Sequence, residues 1–431
     1  MRRMVTVAAV QLPAHDREAF DDVWPEIRVR FNDAAVNDAD IIVLPEGTIP
    51  AYVLGERPLD DEQVDRAVAN LRDDARRLRV VVVCGLGRTH ASFQYNSAIV
   101  IDSDGEISGY ADKAFLWHFD RRWFAPANAI APIRTSLGTL GALVCADGRI
   151  PTISRALVDA GAEILVMPTA WVTSGRDPGA LENVQADLLG RMRARENGVP
   201  FVAANKSGVE RGCVAYCGKS QIVAATGEVL AIASDHDPAI IASEVEIGAP
   251  PAVRVSIPSP AHRVVAPIAT RIAIGMADDA AAEAALATLE AAHLVAPDAP
   301  ARFEPLDDAI PTAILDDASI ADPGFAVAYR RAGTRLLIWD CRAFDPAWVA
   351  PFARTRALEL RTYVVVLDRA SGRAFAVDPD GVVVAGTFDG LRVASFVYDG
   401  ARTEATLVAP STDIALGLER IASLVAEPAK G

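Results

Sequence analysis

The sequence predicts an α/β protein built from two related parts. Apolar runs of strand length alternate with helical stretches along the chain. Several of those runs are continuous rather than alternating, as expected of parallel strands covered on both faces. The later part also repeats segments of the earlier part in the same order. At 431 residues the chain exceeds what one core normally holds, so two domains are expected.

Taken in order, MVTVAAVQL (4–12) is the first buried strand, and a helical stretch follows to about Asn37. IIVLP (41–45) is the next strand and leads directly into Glu46. Residues 60–78 read as helix and VVVVCGL (80–86) as strand. SAIVID (97–102) and EISGYADK (106–113) form a hairpin around Ser103-Asp104-Gly105. LGALVC (140–145) is a strand that runs into Cys145. Pro151 opens a helix through Ala160, since proline is tolerated in a first turn, and Gly161 ends it. EILVMP (163–168) is a strand, a helix spans about 181–197, and VPFVAAN (199–205) is a strand. SQIVAATGEVLAIA (220–233) is a hairpin around Thr226-Gly227. Prolines crowd 248–267, which places a boundary there, with domains 1–265 and 266–431. By propensity, 278–293 is a helix.

The repeat is visible in three places. RAGTRLLIWD (331–340) parallels DAGAEILVMP (159–168), RALELRTYVVVLD (356–368) parallels RARENGVPFVAAN (193–205), and FAVDPDGVVVAG (375–386) parallels SQIVAATGEVLA (220–231). The offsets are 172, 163 and 155, falling in order as small deletions would make them.

Composition narrows the function classes. The chain is 51% hydrophobic and carries a net charge of −15, which fits a well-filled core and argues against nucleic acid or an anionic membrane as partner. Five scattered cysteines (84, 145, 213, 217, 341) show no disulfide framework, which points to a reducing, cytoplasmic setting. The N-terminal apolar stretch ends at Pro13 without a cleavage site, so it reads as a strand, not a signal peptide. No apolar run reaches the roughly 18 residues of a membrane span.

Three residues stand where α/β folds place chemistry. Cys145 lies between a buried strand and a helix, a corner that presents a side chain and where the helix dipole favours thiolate. A lone cysteine is more often plain core, as Cys84 inside its valine run illustrates. Glu46 follows a buried strand at the end where ligands bind, and partial burial would raise its pKa toward that of a working base. Lys113 ends its strand ahead of the aromatic patch FLWHF (115–119). Singly, each has a bland reading as a surface or edge charge. Cys213 and Cys217 have no second pair or histidine cluster, so no metal site is expected. Of the histidines only His118 is near a motif, which leaves a Cys–His pair as a rival arrangement.

IIVLPEG, GYADKAFL and GALVCADGRIP together resemble the three signature segments of the nitrilase superfamily of carbon–nitrogen hydrolases. The spacings are 67 and 32 residues, and MPTAW (167–171) and RARENGVPFVAAN agree with it, so the resemblance covers about 4–245. It implies an αββα four-layer sandwich followed by a truncated second α/β domain of related architecture. It implies Glu46 as base, Lys113 as cation and Cys145 as nucleophile, with the backbone N–H of Ala146 completing an oxyanion hole. No metal or organic cofactor is implied. Where the family often carries a second glutamate after the lysine, this chain has Asp120, which is assigned an auxiliary role. Tyr52 and Trp171 are the pocket-wall candidates.

An amide carbonyl is a poor electrophile, so its cleavage calls for a strong nucleophile and a stabilised oxyanion. The expected activity is hydrolysis of a small amide through a thioester, with an N-carbamoyl amine second and a nitrile third, because CADGR lacks the Trp-Glu often seen after the cysteine of nitrile-hydrolysing members. A binding or regulatory module with a relic site is the non-enzymatic alternative. The second part has Asp316-Asp317 where a nucleophile belongs and is too short at its front for Glu and Lys segments, so it is expected to be non-catalytic. The resemblance further implies paired sandwiches, either as an intramolecular pseudo-dimer or as a homo-oligomer.

Overall fold

The first strand, β1 (Arg3–Pro13), is almost wholly buried because it has a strand on each side and a layer on each face. The computed structural model to which it belongs describes residues 2–36, 38–173, 182–250, 255–276, 289–291, 293–297, 306–388 and 390–426. Parallel to β1 run β2 (Ile41–Val43) and then β3 (Val81–His90), followed by antiparallel β4 (Phe93–Ile101) and β5 (Ile107–Asp112). A second six-stranded sheet contains β6 (Ile133–Thr135), β7 (Gly138–Ala142), β8 (Ile164–Pro168) and β9 (Phe201–Ala204), of which β7, β8 and β9 are parallel. The short β10 (Lys206–Ser207) returns to pair with β1, and β11 (Val209–Glu210) and β12 (Val214–Ala215) form a small ribbon. Antiparallel β13 (Gln221–Val223) and β14 (Val229–Ile232) complete the six-stranded sheet. β15 (Ala239–Ile247) covers the other side of β1, making the first sheet seven-stranded.

Helices α1 (Phe20–Val36) and α2 (Asp61–Leu78) pack on the seven-stranded sheet. Helices α3 (Pro151–Asp159) and α4 (Gly190–Asn197) pack on β7, β9 and β13 of the other. β1 itself packs against β9 and β13, so the order of layers is α, β, β, α. Alternate residues of β1 explain its unbroken apolar run. Ala8, Val10 and Leu12 meet Phe20, Trp24, Phe31 and Leu71 of the helices, while the intervening Val7 and Ala9 are equally buried. Each such aliphatic side chain contributes about 1.5–3 kcal/mol on burial. The ends of α2 follow local chemistry: the Asp60 carboxylate accepts from the Gln63 N–H, and Arg79 closes the helix at φ 59. Its one buried acid, Asp74, is held by Arg28 at 2.7 Å and Arg77 at 2.8 Å.

The chain divides into two units. The first is Met1–Ala252 with Ala409–Thr412 and Arg420–Gly431; the second is Val253–Val408 with Asp413–Glu419. In the second, β16 (Ala269–Gly275) is parallel to β17 (His293–Val295). β18 (Thr312–Leu315) begins a five-stranded sheet. Helices α5 (Asp317–Ala321) and α6 (Pro323–Arg331) precede β19 (Leu336–Cys341), and α7 (Pro346–Leu360) precedes β20 (Tyr363–Asp368). β21 (Arg373–Val377) and β22 (Val383–Gly386) finish the sheet, and β23 (Val393–Asp399) lies antiparallel to β16. The chain continues through α8 (Gly400–Glu404), β24 (Leu407–Ala409), β25 (Thr412–Asp413) and α9 (Ile414–Ala426).

The strand pairing of the second unit repeats part of that of the first. Parallel β18, β19 and β20 followed by antiparallel β21 and β22 repeat the pattern of β7, β8, β9, β13 and β14. β16 between β17 and β23 repeats β1 between β2 and β15. Among the described residues nothing repeats β3, β4 and β5, the strands that lead to Lys113. A buried ion pair recurs as well: Arg193 and Glu196 on α4 meet at 2.6 Å, and Arg356 pairs with Glu359 on α7, all four side chains fully buried. The three-residue spacing puts each pair on one helix face.

Three details differ from the sequence reading. β7 stops at Ala142, short of Cys145, because Cys145 takes φ 44 and opens a turn of 3-10 helix, Cys145–Arg149, that a ladder cannot pass through. The strand through 41–45 likewise ends at Val43, although the Leu44 N–H still donates to the Val83 carbonyl at 2.8 Å. Most of the helix expected over 278–293 lies outside the described residues, and His293 opens β17. Among the described residues, no helix is long and apolar enough to cross a membrane.

Gly85 of β3 is where the backbone after β2 comes closest. A Cβ there would stand 2.4 Å from the Pro45 oxygen and from the Glu46 Cα. Gly85→Ala therefore forces backbone apart. The expected cost is about 1–3 kcal/mol in denaturant unfolding, with a lowered melting temperature.

Candidate active site

Glu46 is carried past the end of β2 by backbone bonds to both sheets. Its N–H donates to the Thr169 carbonyl at 3.3 Å, and the Gly85 N–H donates to the Pro45 carbonyl at 3.2 Å. Gly47 turns the chain at φ 59, and a Cβ there would lie 2.5 Å from the Tyr52 backbone. The turn therefore needs glycine.

The Glu46 side chain is fully buried, and so are Lys113 and Asp120. Lys113 Nζ donates to Glu46 Oε1 at 2.7 Å and contacts Asp120 Oδ2 at 2.6 Å. Asn96 Nδ2 donates to the same Glu46 Oε1 at 2.6 Å. Asp120 Oδ2 also accepts the Trp117 N–H at 2.8 Å, which fixes the loop that bears it. Glu46 Oε2, Asp120 Oδ1 and Trp171 Nε1 are buried with no hydrogen-bond partner in the protein.

Burial raises the Glu46 carboxyl, with the nearby Asp120 charge adding to the effect and Lys113 and Asn96 pulling against it. Burial alone would lower the Lys113 ammonium. The Asp120 and Glu46 carboxylates outweigh it and hold Lys113 well above the ordinary lysine value. Cys145 is 5% exposed, and burial first, then the Glu46 carboxylate, pushes its thiol up to about 12, with Lys113 opposing. The thiol thus senses both members of the pair. Burial and the Glu46 carboxylate work against the thiolate that a helix terminus would favour.

The Cys145 turn is held from behind. Gln185 Nε2 donates to the Cys145 carbonyl at 3.1 Å, and Gln185 Oε1 accepts from Arg149 Nε at 3.0 Å. The Arg149 guanidinium lies 4.6 Å from the centre of the Trp117 ring. Asp147 joins the two loops, with Oδ1 accepting the N–H groups of Ala114 (3.0 Å) and Phe115 (2.7 Å) and Oδ2 accepting that of Val144 (3.0 Å). Burial pushes its carboxyl up to about 6, against the pull of those N–H groups. Ala146 follows Cys145 in the turn, and a first-turn N–H has no intrahelical acceptor.

Tyr52 is 2% exposed, and its ring centre lies 5.9 Å from Lys113 Nζ and 5.6 Å from the Phe119 ring. Trp171 is also buried, positioned by its N–H to Asn205 Oδ1 at 2.8 Å. Tyr52 packs with Ala170, Phe119 and Tyr216 in one small cluster. Sequence reasoning missed Asn96, Gln185 and Thr169. Asn96 could have been noticed as the one amide side chain in the inner, apolar half of β4.

Known proteins resemble this chain over its first unit. The family model described as carbon–nitrogen hydrolase matches residues 6–249. An N-carbamoylputrescine amidase of Oryza sativa is 27% identical over 261 residues, 56% of this chain and 86% of the relative. A probable nitrilase of Schizosaccharomyces pombe is 31% identical over 153 residues, and that match spans 36% of this chain and about half, 53%, of the relative. Among solved structures, a carbon–nitrogen hydrolase from Helicobacter pylori matches with a TM-score of 0.50 at 26% identity, covering 56% of this chain and 89% of that chain.

Asp147 offers a test of how the site is held. Asp147→Ala leaves three buried N–H groups without an acceptor, at about 1–3 kcal/mol each. Denaturant unfolding is expected to show a loss of about 3 kcal/mol or more, beyond that of any exposed aspartate changed in the same way.

Proposed function

The chain belongs to the carbon–nitrogen hydrolase family, and on that premise we propose that its first unit cleaves the C–N bond of a small carboxamide through a thioester on Cys145. The observation that carries this reading is the fully buried Asp120–Lys113–Glu46 chain, whose charges bear directly on the Cys145 thiol.

A thiol held near 12 is a poor nucleophile at neutral pH, so it needs a base at the moment of attack. Glu46, raised by burial, takes the thiol proton as Sγ adds to the carbonyl carbon. The oxyanion that forms is met by Lys113 Nζ and the Ala146 N–H. Glu46 then passes its proton to the leaving nitrogen, the C–N bond breaks, and ammonia or an amine departs from the thioester. Glu46 next takes a proton from water, hydroxide adds to the thioester, and the carboxylic acid leaves as Sγ regains its proton. Lys113 stays charged throughout, because two carboxylates hold it above its usual value. Asp120 keeps the ammonium in place, one methylene shorter than glutamate. Tyr52 and Trp171 form walls for the acyl group.

A second reading, hydrolysis of an N-carbamoyl amine, is favoured by the activity named for the rice relative. Both substrates present a planar carbonyl bonded to nitrogen, and the same steps serve each.

The second unit is assigned no catalysis. The offset of 172 that carries Pro151 onto Pro323, each opening a helix, carries Cys145 onto Asp317. The Asp317 carboxylate is engaged by Trp339 Nε1 at 2.9 Å and by the Arg342 and Ala343 N–H groups at 3.2 and 2.8 Å. It serves as an anchor for a loop.

A screen of simple amides and ureides tests the reading. Cys145→Ala is expected to abolish turnover, and Glu46→Gln to lower kcat by about 10²–10⁴. Because Glu46 must be ionised to act and burial raises its pKa, kcat/KM in the wild type is expected to fall as pH drops through a value above the ordinary carboxylate range. Turnover that survives Cys145→Ala would sink the proposal.

A further inference from the structure

The loop from Lys113 to Ala127 is tied down by residues far beyond the segment the family model matches. Arg420 Nη1 donates to the Ala114 carbonyl at 2.6 Å, and Arg420 Nη2 donates to the Ala127 carbonyl. Those two carbonyls stand at the two ends of the loop. The Ala127 N–H in turn donates to the Lys113 carbonyl at 2.9 Å, so one guanidinium staples the loop at the base of the catalytic lysine. Two more bonds hold its middle. The His118 N–H donates to Thr412 Oγ1 at 2.6 Å, and Arg121 Nε donates to the Ser411 carbonyl at 3.1 Å. His118 and Arg121 bracket Asp120. His118 sits at φ 43, a strained conformation for a residue with a side chain, which persists only where neighbours over-determine it. Thr412 is fully buried, and Ser411, Thr412 and Arg420 belong to the same unit as the site.

We infer that Arg420 and Thr412 are positioning residues, which set Lys113 and Asp120 against Cys145 by fixing the two ends and the middle of the loop between Lys113 and Ala127. Neither touches the reacting atoms. They act through the loop, so a chain end that the family model does not reach completes the geometry of the site. The inference rests on the roles proposed above for Lys113 and Cys145. Partial burial of the Arg420 guanidinium lowers its pKa, and Asp147 opposes that. A fork with both arms on carbonyls has a geometry that lysine, with one ammonium, reproduces only in part.

The test reads Cys145 itself and needs no substrate. Alkylation by iodoacetamide is followed by mass spectrometry across pH in the full chain, for wild type, Arg420→Ala, Arg420→Lys and Thr412→Val. Cys84, buried in the core of the same unit, reports opening of the fold. If Lys113 drifts, the thiolate loses its counter-charge. One unit of added pKa is then about a tenfold slower reaction at a given pH. Arg420→Ala and Thr412→Val are expected to slow Cys145 labelling about tenfold and move its pH midpoint upward, with Cys84 still protected and Arg420→Lys in between. Cys145 labelling equal to wild type in both variants overturns the inference, as does a change in Thr412→Val matched by Cys84 labelling. An inactive wild type in the amide screen would sink the substrate reading and leave this readout standing.

Discussion

One ammonium shared between two carboxylates, all without contact to water, is the constraint on which the site depends. Lys113 cannot lose its charge cheaply while Glu46 and Asp120 flank it, and removing Lys113 would strand two buried carboxylates, at about 3–5 kcal/mol for a broken buried pair. The set holds more negative than positive groups. Burial first, and that excess second, raise the Glu46 carboxyl above a surface glutamate, while burial and the Glu46 carboxylate raise the neighbouring thiol. The same electrostatics thus produces both the resting state and the readiness to leave it.

The fold exists around that constraint. Glu46 arrives from the seven-stranded sheet and Cys145 from the six-stranded one, and the Glu46 N–H to Thr169 carbonyl bond crosses between them at the strand ends. Lys113 follows β5, so three different strand ends converge. The side chains of Asp147, Gln185 and Asn96 hold the pieces in register. Preorganised groups of this kind reduce the rearrangement needed as charge develops.

Much of this was legible in the sequence, for a physical reason. A polar residue directly after a buried apolar run must either reach solvent or find a partner, so Glu46, Lys113 and Cys145 stand out at the ends of their strands. Asp120 was legible only through resemblance, since nothing local distinguishes it from an exposed acid. The contacts of Asn96, Gln185, Thr412 and Arg420 were not legible, because they join residues from 36 to 306 positions apart along the chain. The burial of the thiol was hidden for a related reason. Local sequence shows that a turn begins at Cys145 but not how thoroughly the rest of the chain covers it.

The paired arginine and glutamate on α4 and on α7 carry a lesson about what survives divergence. To lose such a couple a lineage must pass through a chain with one orphaned charge in its interior, and marginal stability leaves little room for that step. The interior couple is therefore kept by stability alone in each unit, whether or not either one performs chemistry.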